Sequence, residues 1–177
     1  MAPPFVVRRF EIAEAGQLRQ LRLSALREMP EAFGAGLHDE CGRSPDFWSS
    51  WISESPPFGA FIDGEALGMA GFWRETQANL RHRGRLGAMY VSPVLRGQGV
   101  AGALIDAVLS HARTCVEQVH LIVNRDNELA VRFYQQAGFV VCGCEPRGHK
   151  CGEVYRDALL MVNMLDPQVP RSKPIMR

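Results

Sequence analysis

The residues with the clearest chemical potential lie in the run Met89-Tyr90-Val91-Ser92-Pro93-Val94-Leu95-Arg96-Gly97-Gln98-Gly99-Val100-Ala101-Gly102. A strand pattern ends at Pro93, and a loop with glycines at 97, 99 and 102 runs straight into a helical pattern. The first turn of any helix leaves about four backbone N–H groups without partners, and the macrodipole places roughly half a positive charge there. Glycines remove Cβ atoms and let an anionic group approach that backbone closely. The combination is a phosphate cradle. Two other phosphate loops compete with this reading. No Lys-Ser or Lys-Thr follows the glycines, which sets aside the nucleoside-triphosphate loop. Gly97, Gly99 and Gly102 do match the dinucleotide fingerprint G-x-G-x-x-G after a strand. Against it, the next strand closes on Val123-Asn124-Arg125, with no acidic residue where a ribose would need one. A glycine turn that holds no ligand is the remaining alternative.

Within this run, Arg96-x-x-Gly99-x-Ala101 resembles the R/Q-x-x-G-x-G/A signature of the GNAT acyltransferases. A second stretch, Asn127-x-x-Ala130-x-x-Phe133-Tyr134-x-x-x-Gly138-Phe139, resembles that family's N-x-x-A-x-x-(F/L)-Y-x-x-x-G-F segment. The likeness covers Leu86–Phe139 well and the ends of the chain only through element order. Pro30-Glu31-Ala32-Phe33-Gly34 and Glu145-Pro146-Arg147 also look like stretches of uncharacterised bacterial members. The resemblance implies acetyl-coenzyme A as cosubstrate. Its pyrophosphate would lie on the loop of Arg96, Gly97, Gln98, Gly99, Val100, Ala101 and Gly102, with Arg96 in reach of phosphate. Its pantetheine arm would bond the backbone of Met89, Tyr90 and Val91. Asn127 would contact the cofactor arm, a role compatible with its other reading as a helix N-cap. Arg125 and Arg132 are further candidates for the nucleotide phosphates.

The implied reaction moves an acetyl group to a primary amine by direct attack in a ternary complex. No Cys-His or Ser-His pair suggests a covalent intermediate. The transfer releases a thiolate, and a thiol has a pKa of about 8.5. The phenol of Tyr134, with an ordinary pKa of about 10, can protonate it, and the family assigns that catalytic role to the tyrosine here. The alternative for Tyr134 is core packing beside Phe133. Many family members carry a glutamate on the strand before the loop as general base. Arg85-Leu86-Gly87-Ala88-Met89-Tyr90 contains no carboxylate, so the base is open among Glu31, Glu75, His82, His120 and Asp157. That departure keeps a second reading alive, a non-catalytic acyl-coenzyme A binding or sensing domain. A nicotinamide-dependent oxidoreductase is the third.

The elements that must position these residues follow from periodicity and turn chemistry. Phe5–Phe10 reads as a strand and Ala13–Met29 as a helix ended by Pro30. Glu31–Gly42 reads as a loop, and Ser44–Glu54 as a helix that starts at Pro45. Phe58–Asp63 and Ala66–Glu75 flank Asp63-Gly64, a hairpin turn signal. Then come strand Leu86–Ser92, helix Gly97–Arg113, strand Val119–Asn124, helix Asn127–Ala137 closed by Gly138, and strands Phe139–Cys144 and Tyr155–Leu165. The order predicts an α/β fold of GNAT acyltransferase type, a mixed central sheet of about seven strands flanked by about four helices. Residues 1–165 form one domain, and 166–177, with three prolines, a tail. Phe33, Trp48, Trp51 and Trp73 read as core or as walls of the acceptor pocket.

Bulk properties bound the partners. The 177 residues carry a formal net charge of +1, which is not the basic balance of a nucleic-acid-binding domain. No apolar run reaches about eighteen residues, so no membrane partner is expected. Five cysteines, an odd number, and no charged leader before an apolar stretch point to reduced thiols and a cytoplasmic location. The closely spaced Cys142, Cys144 and Cys151 lack the paired spacing of a zinc site, so no metal is expected. Arg81-His82-Arg83-x-Arg85 is a basic cluster that would attract an acidic substrate or stand as a solvated loop. The acceptor is a small-molecule or protein amine. The C-terminal strand is the edge through which a homodimer would pair.

Overall fold

The computed structural model describes residues 4–165; the tail expected at 166–177 lies outside them. The strands are β1 (Val6–Arg9), β2 (Phe58–Ile62), β3 (Glu65–Arg74), β4 (Arg83–Val91), β5 (Gln118–Asn124), β6 (Val140–Cys151) and β7 (Val154–Met164). The helices are α1 (Ala15–Glu28), α2 (Leu37–Cys41), α3 (Pro45–Glu54), α4 (Val100–Ala112) and α5 (Glu128–Gln136). The seven strands form a mixed sheet in the order β1-β2-β3-β4-β5-β7-β6, with β4 and β5 parallel. By contact density the chain divides into two units. One runs through Trp73 and resumes at Leu86–Ser110; the other combines Arg74–Arg85 with the chain from His111 onward.

In the first unit, β1 and β3 both pair antiparallel with β2. Asp63 (φ 48°) and Gly64 (φ 83°) turn the β2–β3 hairpin, both in the left-handed region that Gly and Asp tolerate. The side chain of Gln17 straps that hairpin to α1, donating to Gly64 O and accepting from Ala66 N–H. Leu18, Leu21 and Ala25 of α1 and Trp48 and Ile52 of α3 share one core with Phe10, Phe61, Met69 and Tyr90. Gly68 leaves room for Leu104 of α4: a Cβ there would meet Leu104 Cδ1 at 3.1 Å.

In the second unit, Arg83–Arg85 of β4 run parallel to Gln118–His120, and β5 pairs with β7 along its whole length, so the C-terminal strand β7, expected at an edge, lies between β5 and β6. Asn127 Oδ1 accepts from Ala130 N–H at 3.1 Å and caps α5. Gly138 (φ 89°) ends that helix, where Phe139 N–H returns to Tyr134 O at 3.0 Å. Asn163 of β7 fixes the helix end by donating to Ala137 O at 3.0 Å.

Two departures from the sequence reading stand out. The loop expected over Glu31–Gly42 contains α2, a fifth α-helix among the described residues. Asp39 starts α2 by accepting from Gly36 N–H, and Glu40 anchors it through a two-pronged ion pair with buried Arg22 of α1, 2.8 Å on each prong. The strand expected to stop at Cys144 continues to Cys151, through bulges at Val141/Gly143 and Glu145/His149. Glu40→Ala should therefore cost about 3–5 kcal/mol in urea unfolding, because it strands a buried guanidinium. The double replacement Arg22→Met with Glu40→Leu should recover most of that loss.

Candidate active site

The glycine loop follows β4 through a short helical turn at Pro93–Leu95, whose Leu95 is buried. Gly97 (φ 75°) and Gly99 (φ 81°) are both left-handed, which an L side chain resists by roughly 1–2 kcal/mol. The first bond of α4 runs from Ala103 N–H to Gly99 O at 3.0 Å. The amides of Val100, Ala101 and Gly102 therefore precede the helical ladder. A Cβ on Gly97, Gly99 or Gly102 would meet no other atom of the protein within 4 Å. Packing requires none of these glycines, and Gly102 is not required by φ either. Its lack of a side chain fits close approach of something else to the helix start, as an anion cradle demands.

Around this backbone the side chains bond back to the protein. Gln98 donates to Val94 O at 2.8 Å. Arg96 donates from Nε to Val91 O at 3.0 Å and pairs with Glu28 Oε1 at 2.5 Å. Glu28 Oε2 accepts from Tyr90 O–H at 2.7 Å. The Tyr90 bond and the Arg96 charge hold the Glu28 carboxyl below its usual range, against the effect of burial. Burial, and then Glu28, push the Tyr90 phenol up to about 12. Just upstream, within β4, Ala88 is left-handed (φ 49°) next to Met89. The β5 ladder covers only Arg83–Arg85, so Met89, Tyr90 and Val91 lie outside it.

In the second unit, Tyr134 sits on α5 against Phe133 and Phe139, ring centroids 5.3 and 5.9 Å away. Burial pushes its phenol up to about 12, and like any phenol it is protonated at neutral pH. Asn127 uses its Oδ1 as the helix cap and keeps its amide N–H groups as donors. Arg132 pairs with Glu128 at 2.7 Å and Arg125 with Asp157 at 3.7 Å, so carboxylates already engage both of these phosphate candidates.

Three of the five base candidates come together. His120 on β5 feels Arg83, His82 and Glu75. Burial first, then Arg83 and His82, lower its pKa, so it is neutral at pH 7. Its Nε2 is enclosed without a hydrogen-bond partner among the described residues. Asp157 is bound by Arg147 N–H and Arg125, and Glu31 lies apart in the turn after α1. Of the aromatics, Trp48 is core, Trp51 stacks on Trp73 at 5.7 Å, and Phe33 lies under the Arg22 guanidinium at 4.8 Å. Glu28 escapes the sequence reading altogether. Its partner Tyr90 is 62 residues away, and no local pattern announces the pair.

A helix opened by glycines after β4, within this mixed seven-stranded sheet, is the arrangement expected of a GNAT-type acyltransferase fold. The sequence model of the Acetyltransferase (GNAT) family matches residues 19–139, through both units, and the chain belongs to that family. It is similar to the mycothiol acetyltransferase of Propionibacterium freudenreichii, 30% identical over 136 residues, 75% of this chain and 42% of that protein. It is also similar to the mycothiol acetyltransferase of Thermobispora bispora, 33% identical over 125 residues, 67% of this chain and 40% of that protein. The chain thus spans about two fifths of the length of these curated relatives. Among solved structures, yncA from Salmonella typhimurium with its cofactor acetyl-CoA superposes with TM-score 0.82 at 18% identity, covering 96% of this chain and 98% of that one. The GNAT-family acetyltransferase of Streptococcus pneumoniae superposes with TM-score 0.81 at 20% identity, covering 91% and 99%. At these identities the superpositions show the fold.

The depressed Glu28 pKa carries a pH consequence. Its contribution to stability is present above the ordinary carboxylate value and is lost as pH falls through the lowered folded value. Urea unfolding between about pH 5 and pH 3 should show a shallower loss for Glu28→Gln than for the parent. Parallel curves would mean that Glu28 titrates alike in both states.

Proposed function

We propose that this protein transfers an acetyl group from acetyl-CoA to a primary amine, as a single acetyltransferase domain over residues 1–165. The observation that carries this reading is the start of α4, where three glycines that packing does not need front amides ahead of the helical ladder. Backbone amides of that kind suit a pyrophosphate. The family match, the acetyl-CoA in the yncA structure and the acetyltransferase names of the curated relatives support it.

In this mechanism the loop of Gly97–Gly102 holds the pyrophosphate, and the backbone of Met89, Tyr90 and Val91 lines the pantetheine arm. The donor groups of Asn127 contact that arm. The amine nitrogen attacks the thioester carbonyl carbon, the C–S bond breaks, and the Tyr134 hydroxyl gives its proton to the departing thiolate. The proton lost by the amine has a candidate acceptor in neutral His120. The missing strand carboxylate is the one feature that suits a non-catalytic binding domain, which the family match does not favour, and one substitution separates the two.

Acetyl-CoA or coenzyme A at about 100 times Kd should stabilise the protein by roughly 2.7 kcal/mol, where NAD and ATP should not. Gly102→Val should abolish that stabilisation with little change in the ligand-free Tm, since a Cβ there meets nothing within 4 Å beyond its own helix. Tyr134→Phe should lower kcat by about 10²–10⁴ while coenzyme A still binds. An unchanged kcat in Tyr134→Phe would remove the tyrosine from the chemistry. Binding without turnover of any amine would leave the binding module.

A further inference from the structure

We propose that Arg96 is a clamp on the cofactor loop rather than a phosphate ligand, and that Glu28 and Tyr90 are the positioning residues that hold it. The proposal rests on the reading of Gly97–Gly102 as the pyrophosphate cradle. Three observations in the first unit carry it.

The first is the direction of the guanidinium. Arg96 Nε–H closes back on Val91 O at 3.0 Å, across the turn Pro93–Leu95 that leads into the loop. Its other arm reaches Glu28 Oε1 at 2.5 Å, at the end of α1. Its carbon lies 5.8 Å from the Tyr90 ring centroid, within cation–π range. The side chain thus links the end of β4, the end of α1 and the first residue of the loop.

The second is the cost of placing Glu28 where it stands. It is the last residue of α1, and a carboxylate there faces the negative end of the helix dipole. It would also repel a pyrophosphate nearby. Arg96 neutralises it, and the Tyr90 hydroxyl fills its second oxygen at 2.7 Å. The arrangement presents no net charge to the loop.

The third is what anchors the anchor. Tyr90 is 5% exposed and belongs to the core shared by α1, α3 and β3, so its hydroxyl is fixed by packing. Backbone bonds hold the rest of the turn: Ser92 N–H to Leu67 O at 2.8 Å and Leu95 N–H to Ser92 O at 2.9 Å. The chain therefore enters Gly97 in one direction only. A loop already in its bound conformation loses less entropy on binding, and that is where the clamp contributes.

The sign of one substitution separates a clamp from a phosphate ligand held in reserve. Removing Glu28 frees Arg96 and deletes a negative charge. A reserve ligand would then bind coenzyme A as tightly or more tightly. A clamp would lose its hold and bind more weakly. We would measure coenzyme A affinity by calorimetry for the parent, Glu28→Ala, Glu28→Gln, Arg96→Met and the Glu28→Ala/Arg96→Met double variant. Glu28→Ala and Arg96→Met should each weaken binding roughly tenfold, and the double variant should be no weaker than Arg96→Met alone, because coupled residues share one effect. Glu28→Gln keeps an acceptor for Tyr90, so its loss should be smaller, and it serves if Glu28→Ala does not fold. The KM for the amine should not move, whereas a general loosening of the fold would raise both. Equal or tighter binding by the Glu28 variants, or additive losses in the double variant, would overturn the clamp. A parent that does not bind coenzyme A would overturn both the clamp and the cradle. A parent that binds beside unaffected Glu28 variants would overturn the clamp alone.

Discussion

The backbone amides at the start of α4 set the terms for everything around them. A helix cannot pair its own first N–H groups, and the chain must either cap them or offer them. Here the residue ahead of the helix is a left-handed glycine with no side chain to cap with, and Gly102 in the first turn leaves the approach open. On the proposed reading, the partial positive charge of the helix start is left for an anionic ligand. The acyltransferase reading depends on this choice more than on any one side chain.

Offering amides is useful only if the loop is held still, and much of the first unit is arranged to do so. Leu95 is buried, and Ser92 is bonded to β3. Arg96 is tied to Val91 and Glu28, and Glu28 to the core residue Tyr90. The same unit fixes the far side of α1 through Arg22 and Glu40. In the second unit a comparable logic holds α5. Asn127 caps its start, Gly138 and Asn163 lock its end, and Tyr134 sits between two aromatic rings with its proton retained.

What could be read from the sequence was what local chemistry decides. Asp63-Gly64 specifies its hairpin because both residues accept positive φ. Gly138 ends α5, and the glycine loop reveals itself by spacing. The features that escape are those decided at long range. α2 exists because Glu40 meets Arg22, eighteen residues away, and its five residues carry too little periodicity to announce it. β6 runs on to Cys151 past Pro146 and left-handed Arg147, where bulges break the alternation that marks a strand. The pairing of Arg96 with Glu28 is likewise decided at long range. So is that of Arg125 with Asp157, whereas Arg132 and Glu128 form a local i,i+4 pair. For the base, sequence can only supply titratable residues. That Glu75 and His82 act on His120 is a product of strand pairing.

The central claim is that the amides opening α4 are the anion site. Backbone amide proton–nitrogen correlation spectra, recorded as acetyl-CoA is titrated into the protein, test it most directly. The account predicts that the resonances of Gly97, Gly99, Val100, Ala101 and Gly102 move furthest and saturate together, as new hydrogen bonds form at those N–H groups. Binding that leaves these five unmoved while others shift, or no shift at all, would contradict it.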